Sequence, residues 1–230
     1  MESKYIDLSI KFLDSSKRNL DVHDVIKEYE SLEVENLIYE LDTDRKKLVF
    51  WINTYNAMIQ YYGKLRKDEF ELKKLKFFDI SMIKVGRKMY SFNQIEHGVL
   101  RKSQWKYGLG YVKRWFPNQT EKLLRVNRLD ARIHFLLNCG AESCPIIRPL
   151  NLDNLEKELE ESRVDFVKSE TKFDHDKKVM ITSKIMFFYL ADFGGSRGVK
   201  EQISFVHNQD FSSYQLKYSN YNWDLKFDNY

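Results

Sequence analysis

Both thiols of the chain, Cys139 and Cys144, fall in one short run, 130–145 (DARIHFLLNCGAESCP), in the company of His134, Asn138, Glu142 and Pro145. A thiol becomes the strongest nucleophile available to a protein near neutral pH once a neighbour draws its pKa below about 8.5. Gly140, directly after Cys139, admits backbone angles that other residues resist. The run therefore reads as a buried strand, Ala131 to Leu137, ending in a sharp turn that carries the thiols. Such a turn presents side chains and free backbone N–H groups together, as an oxyanion requires. Cys139 is the candidate nucleophile, and Asn138 with the backbone at Gly140 the candidate oxyanion donors. Cys144 and His134 are alternates. The competing reading makes both cysteines small, buried apolar residues.

The second constellation is Glu96-His97 in Ile95-Glu-His-Gly-Val-Leu-Arg101. On an α-helix, neighbours point about 100° apart, so Glu96 and His97 do not share one narrow stripe, whereas His97 and Arg101, four apart, do. With an ordinary pKa near 6.5, His97 is the candidate general base to the thiol. Glu96 would hold its ring. Asn53 and Asn56 sit within an otherwise apolar stretch and must find partners there. They either tie that segment to buried backbone or, for Asn56, orient a catalytic imidazole as amides do in papain-like sites. Cys139, Cys144, His134 and His97 are zinc-type ligands, but no second cysteine pair exists, and no metal or other cofactor is expected. Asp130 and Arg132 read as a structural ion pair, Arg101 as structural, and Trp223, in Tyr221-Asn-Trp-Asp-Leu225, as part of a terminal clamp. His23, His175 and His207 read as surface residues. A glycine-rich phosphate loop, a Gly-x-Ser-x-Gly elbow and a His-Glu-x-x-His pattern are all missing.

Length and composition set the frame for these residues. At 230 residues the chain is long enough for one large core. An apolar share of 43%, with only 9 Gly and 3 Pro, argues for a folded chain. Thirty-eight basic residues against 34 acidic ones leave +4, read as spread without a dominant block. The stretch from Lys64 to Lys76 alternates in sign and reads as a solvated helix and loop. A nucleic-acid partner is not expected on that pattern. Met1 to Leu8 lacks the basic and apolar regions of a secretory leader. The most apolar stretch, Leu48 to Tyr62, is interrupted by Asn53, Asn56 and Gln60, so no membrane span is expected. The expected compartment is the cytoplasm, where thiols stay reduced; a chain whose leader had been removed reads the same.

Periodicity supplies the elements. Apolar residues at helical spacing place helices over the first ~70 residues, with Leu48–Tyr62 buried on most sides and Gly63 at or inside the last turn. Ile83–Tyr90 reads as a hairpin turning at Gly86-Arg87. Ser91-Phe-Asn-Gln94 is a capping box opening the next helix. Leu152–Val167 is a helix with Asn151 as its cap. Phe173–Thr182 is a hairpin or strand, Ser183–Phe193 a helix closed by Gly194-Gly195, Ser196–His207 another helix, and Leu216–Tyr221 a last strand. The fold class is α+β: one helix-rich domain with a small mixed or antiparallel sheet.

Five of these segments together resemble the family of proteins of unknown function DUF547: Phe50-Trp-Ile-Asn-Thr-Tyr-Asn-Ala57, Ile95–Arg101, Arg132 through Pro145, Ala191-Asp-Phe193 and Tyr221–Leu225. They follow the family's order over roughly 45–227, which divides the chain into an N-terminal helical extension, 1–44, and a DUF547-like domain, 45–230, packed as one unit. Asn222 stands where the family pattern has Asp. The resemblance implies that Ser replaces Cys144 in some relatives, which favours Cys139 as the nucleophile. Likeness to papain-like or transglutaminase-like enzymes rests on the Cys, His and acid content alone.

The leading expectation is a cysteine-dependent hydrolase or acyltransferase acting on a peptide, protein or small amide or thioester. Cys139 attacks, His97 activates it, and Glu96 or Asn56 positions the ring. The alternative is a non-catalytic protein- or peptide-interaction module with buried structural cysteines and an aromatic surface.

Overall fold

Helix α4 (Asp44–Leu65) is enclosed on nearly every side, because an unbroken run from Lys47 to Gln60 is buried. The computed structural model that shows this describes residues 3–230, with the side chains of Lys74 and Leu75 excepted; the sequence readings on Met1, Glu2 and Lys74 lie outside it. Thr43 starts α4 by accepting a hydrogen bond from the Lys46 N–H, and Gly63 falls inside its last turns. Helices α1 (Lys4–Lys17), α2 (His23–Ser31) and α3 (Val34–Glu40) pack with α4 in a single core. Tyr29 fixes this join through its hydroxyl to Thr54 Oγ1 at 2.8 Å.

Two amides inside α4 hold a loop with no secondary structure of its own. Asn53 donates to the Leu150 carbonyl at 2.8 Å and accepts from the Leu150 N–H at 3.0 Å. Asn56 donates to the Leu136 carbonyl and accepts from the Asn138 N–H, both at 2.9 Å. Each amide imitates a neighbouring strand, so the backbone at 136–150 is satisfied without joining a sheet.

Helices α5 (Lys67–Leu72) and α6 (Lys74–Phe77) lead into the antiparallel hairpin of β1 (Ile83–Val85) and β2 (Lys88–Tyr90). The capping box forms: Ser91 Oγ accepts from the Gln94 N–H at 3.1 Å, and Gln94 Oε1 from the Ser91 N–H at 2.8 Å. The helix it opens, Gln94–Leu100, is a π-helix. Then come a long loop and α7 (Gln119–Leu124).

The expected strand at Ala131–Leu137 is a 3₁₀ turn over Ala131–Phe135. A short apolar run is compatible with either state; here Asp130 decides, because its carboxylate accepts the Arg132 N–H at 2.9 Å and starts the turn. After it, α8 (Leu155–Glu170), β3 (Lys172–Asp174), β4 (Val179–Thr182), α9 (Ile185–Phe188), α10 (Gly195–His207) and β5 (Gln215–Tyr218) enclose a second apolar cluster. Their sheet is mixed, with β3–β4 antiparallel and β4–β5 parallel. Asn154, not Asn151, takes the cap position of α8; Asn151 lies four residues before Leu155 and exchanges hydrogen bonds with Asn154. The expected helix over 183–193 reduces to α9, and Gly194, in the left-handed region at φ 85°, opens α10 instead of closing a helix. The fold class is α+β. Among the described residues no helix is long and apolar enough to cross a membrane.

The C-terminal segment returns to the thiol turn. Lys226 N–H donates to the Gly140 carbonyl at 2.9 Å and Glu142 N–H to the Asp224 carbonyl at 2.8 Å. Gly140 has φ +82°, and a Cβ there would lie 2.8 Å from the Phe227 ring.

Candidate active site

The π-helix changes the face that Gln94–Leu100 offers. Its i→i+5 bonding, as in Arg101 N–H to the Glu96 carbonyl at 2.7 Å, sets residues four and five apart side by side. Glu96, His97 and Arg101 therefore gather, which α-helical spacing would not allow. His97 Nδ1 lies 3.7 Å from Glu96 Oε1 and 2.8 Å from Arg101 Nη1. Insertions of this type are frequent at functional sites.

Each carboxylate of the network is occupied. Glu96 accepts the Tyr189 hydroxyl at 2.6 Å and the Tyr55 hydroxyl at 3.3 Å. Asp192 Oδ2 accepts Arg101 Nε at 2.6 Å and lies 2.8 Å from His134 Nε2. The His134 ring stacks on Tyr189 with centroids 3.7 Å apart, and the Arg101 guanidinium sits 4.6 Å from the same ring. Burial pushes the Glu96 carboxyl up, but His97, the Tyr189 hydroxyl and Arg101 outweigh it and hold it below the ordinary value. Burial raises Asp192 as well, and the bonds from His134 and Arg101 reverse the sign.

Both imidazoles are neutral at pH 7, and their tautomers differ. Burial draws His97 down to about 4 against the pull of Glu96, with Arg101 adding to the fall. Burial likewise lowers His134, against its bond to Asp192. A guanidinium only donates, so His97 Nδ1 accepts from Arg101 and the ring proton lies on Nε2. A carboxylate only accepts, so His134 carries its proton on Nε2 and keeps a lone pair on Nδ1. Of the two, His134 is the imidazole able to take a proton.

The thiols face a phenol, not an imidazole. Tyr221 Oη lies 3.3 Å from Cys139 Sγ and 3.2 Å from Cys144 Sγ. The Cys139 N–H donates to Cys144 Sγ at 2.9 Å. Among the described residues neither thiol is hydrogen-bonded to His97 or His134. The two sulfurs titrate together. The bond to Cys144, ahead of burial, pushes Cys139 far up. Burial opposes ionisation of Cys144, but bonds from Cys139, from Tyr221 and from the backbone N–H groups of Ala141 and Cys139 bring it below the ordinary value. The negative charge of the pair belongs on Cys144. Both cysteines are free thiols.

Cys139, Cys144, His97, His134, Glu96 and Tyr189 all border one cavity of about 450 Å³. Tyr55, Tyr221, Trp223 and Phe188 add aromatic walls. A largely apolar cavity with a few convergent polar groups is the usual form of a small-molecule site. Cys144 is buried and Cys139 half-buried at its edge. Among the described residues no three His, Cys, Asp or Glu side chains converge as a metal would require.

Other expected participants have different places. Asn138 is fully buried, its amide donating to the Pro145 carbonyl and accepting the Gly140 N–H, each at 2.8 Å. One of its two amide N–H donors is thus engaged in holding the turn. Asn56 bonds to backbone, donating to the Leu136 carbonyl and accepting the Asn138 N–H. Asp130 and Arg132 pair at 2.6 Å, and Arg132 reaches Glu156 of α8 at 3.1 Å. Trp223, read as structural, lines the cavity. Asn222 accepts the Asp224 N–H at 2.9 Å, a role a carboxylate would share. Asp192, Tyr189, Tyr221 and Tyr55 were not foreseen as site residues. Three of them lie within segments that carry the family likeness: Tyr55 in 50–57, Asp192 in 191–193 and Tyr221 in 221–225.

The chain matches the family described as "Protein of unknown function, DUF547" over residues 39–167. No curated protein and no solved structure matches it. The matched stretch holds Glu96, His97, Arg101, His134 and both thiols, while Tyr189, Asp192 and Tyr221 lie beyond it. With more than half its length matched, the chain belongs to the DUF547 family of proteins of unknown function.

Proposed function

We propose that the cavity performs thiol-dependent acyl transfer, the hydrolysis or exchange of an amide, peptide or thioester. The observation that carries this reading is the pair of thiols on one wall of a cavity that also holds an Asp192-oriented His134. Two roles are assigned differently from the sequence expectation. Cys144 takes the place of Cys139 as attacking sulfur, because it accepts the hydrogen bonds that favour thiolate. His134 takes the place of His97 as base, because the lone pair of His97 is engaged by Arg101 while Asp192 leaves that of His134 available.

The steps balance as follows. The Cys144 thiolate attacks the carbonyl carbon, and the bond to the leaving amine or thiolate breaks, giving a Cys144 thioester. Acylation removes the charge that had kept the Cys139 proton in place, so Cys139 can protonate a leaving amine. Water then attacks the thioester as His134 Nδ1 takes one of its protons, and the carboxylic acid is released with Cys144 again a thiolate, the acid losing its remaining proton to bulk water. The proton on His134 passes to Cys139 where Cys139 has protonated a leaving amine, and to solvent where a thiolate has left.

A p-nitrophenyl acyl ester tests this. The expected product is an acyl group on the peptide containing Cys144, absent in Cys144→Ser, with turnover about 100-fold or more slower in His134→Gln. His97→Gln should leave the acylation step within a fewfold of wild type. Acylation that persists in Cys144→Ser, or a native protein that acylates no faster than its urea-unfolded chain, overturns the proposal in favour of a non-catalytic module.

A further inference from the structure

The charge of this chain is not evenly spread, as its totals suggested. Seven Lys and Arg lie between Lys102 and Arg128 against one acid, Glu121, which leaves that segment at +6 while the whole chain is +4. In the fold Glu121 pairs with Arg114 and Asp79 with Lys106, which leaves Lys102, Lys113, Lys122, Arg125 and Arg128 with no ion pair among the described residues. The same segment holds the two most exposed aromatic residues of the described protein, Phe116 at 92% and Trp115 at 85%, with Tyr107 and Tyr111 also exposed; Tyr39 in α3 and Phe205 in α10 are exposed elsewhere. Single exposed apolar side chains are ordinary, whereas a contiguous set marks a contact surface.

The segment is built, not loose. Gln104 and Lys113 bridge as in a hairpin, the Trp105 N–H donates to the Val112 carbonyl and the Arg114 N–H to the Ser103 carbonyl, each at 2.8 Å. Its tip is pinned to the site by the Ala191 N–H to the Leu109 carbonyl, also 2.8 Å. Lys106, Tyr107 and Leu109 form part of the cavity wall. The outer face of this hairpin therefore flanks the opening to an apolar cavity.

Two partners match aromatic rings set among cations: single-stranded nucleic acid and an anionic bilayer. Base stacking uses ring faces and basic side chains, and has no use for the exposed Val112 and Leu123. A bilayer interface takes Trp and Tyr at headgroup depth, aliphatic side chains just below, and Lys or Arg against anionic headgroups. We infer that the 102–116 hairpin docks on an anionic lipid surface, with Trp115 and Phe116 entering the headgroup boundary and the neighbouring cations facing the lipid phosphates and carboxylates. This inference does not depend on the thiol chemistry.

Sedimentation of the full chain with vesicles tests it. The protein should partition onto phosphatidylcholine vesicles that contain one-third phosphatidylserine, and fall back as salt is raised. Trp115→Ala/Phe116→Ala, both at exposed positions, should lower partitioning about tenfold or more, and Lys113→Gln by about fivefold. Unchanged circular dichroism in these variants would tie the loss to the surface. Failure to bind the anionic vesicles, wild-type partitioning of the double variant, or capture by a single-stranded oligonucleotide in place of vesicles would each overturn the inference.

Discussion

Asp192 Oδ2 stands between two cationic or polarised partners, 2.6 Å from Arg101 Nε and 2.8 Å from His134 Nε2, with all three side chains almost completely buried. One carboxylate thus compensates a guanidinium enclosed in the core and sets the tautomer of a cavity imidazole. Asp192→Ala leaves Arg101 charged and uncompensated, and should cost about 3–5 kcal/mol in urea unfolding. Adding Arg101→Met should recover part of that loss. A cost under about 1 kcal/mol for the single variant would refute the buried pairing.

The Tyr221 hydroxyl contacts both sulfurs and supports charge on Cys144. Tyr221→Phe should raise the midpoint of thiolate absorbance near 240 nm by about one pH unit. In the wild type, iodoacetamide at pH 7 should label the Cys144 peptide ahead of the Cys139 peptide, and the variant should lose that preference. Faster labelling of Cys139 in the wild type would reverse the assignment of charge within the pair.

Acid should unfold this protein through its histidines. His97 is drawn from 6.5 to about 4 on folding, and His134 moves in the same direction. The unfolded chain therefore binds more protons than the native one between pH 6.5 and 4, so stability falls as pH falls through that window and is unaffected by these groups above it. His97 alone accounts for about 2 kcal/mol by pH 5, or roughly 4–8 °C in Tm. Glu96 and Asp192, whose folded pKa values are depressed, lose their contribution only lower, as pH falls below the carboxylate range. Calorimetry at pH 7 and pH 5 measures the drop, and His97→Gln should flatten it.

Gly140 is required twice, by its φ of +82° and by the Phe227 ring 2.8 Å from any added Cβ. Gly140→Ala should destabilise by about 1–3 kcal/mol and disturb the bond from Lys226 N–H to its carbonyl. Combining it with Phe227→Leu should relieve the steric part and leave the backbone strain. Denaturant midpoints for the two variants separate these contributions.

Asn56 satisfies two buried backbone groups at once, the Leu136 carbonyl and the Asn138 N–H. Asn56→Leu is close in size but leaves both unpaired, and should cost about 2–5 kcal/mol. Hydrogen exchange at the Asn138 amide would report the same loss locally. Full protection in the variant would show that another group supports the loop.

The sequence by itself determined what depends on near neighbours. The enclosed α4, the β1–β2 hairpin, the Ser91–Gln94 capping box and a glycine turn presenting both thiols are written in spacings of a few residues, because helix, hairpin and cap are closed by local bonds. Tertiary structure alone decided which chemistry those thiols meet. Tyr221 reaches Cys139 across 82 positions and Asp192 reaches His134 across 58. The 3₁₀ turn at Ala131–Phe135 and the π-helix at Gln94–Leu100 also lay outside local reading, since apolar spacing does not register the extra residue per turn or the capping carboxylate that selects each form. Proton positions follow the same rule: His97 and His134 are alike in sequence, and differ because packing sets a guanidinium against one ring and a carboxylate against the other.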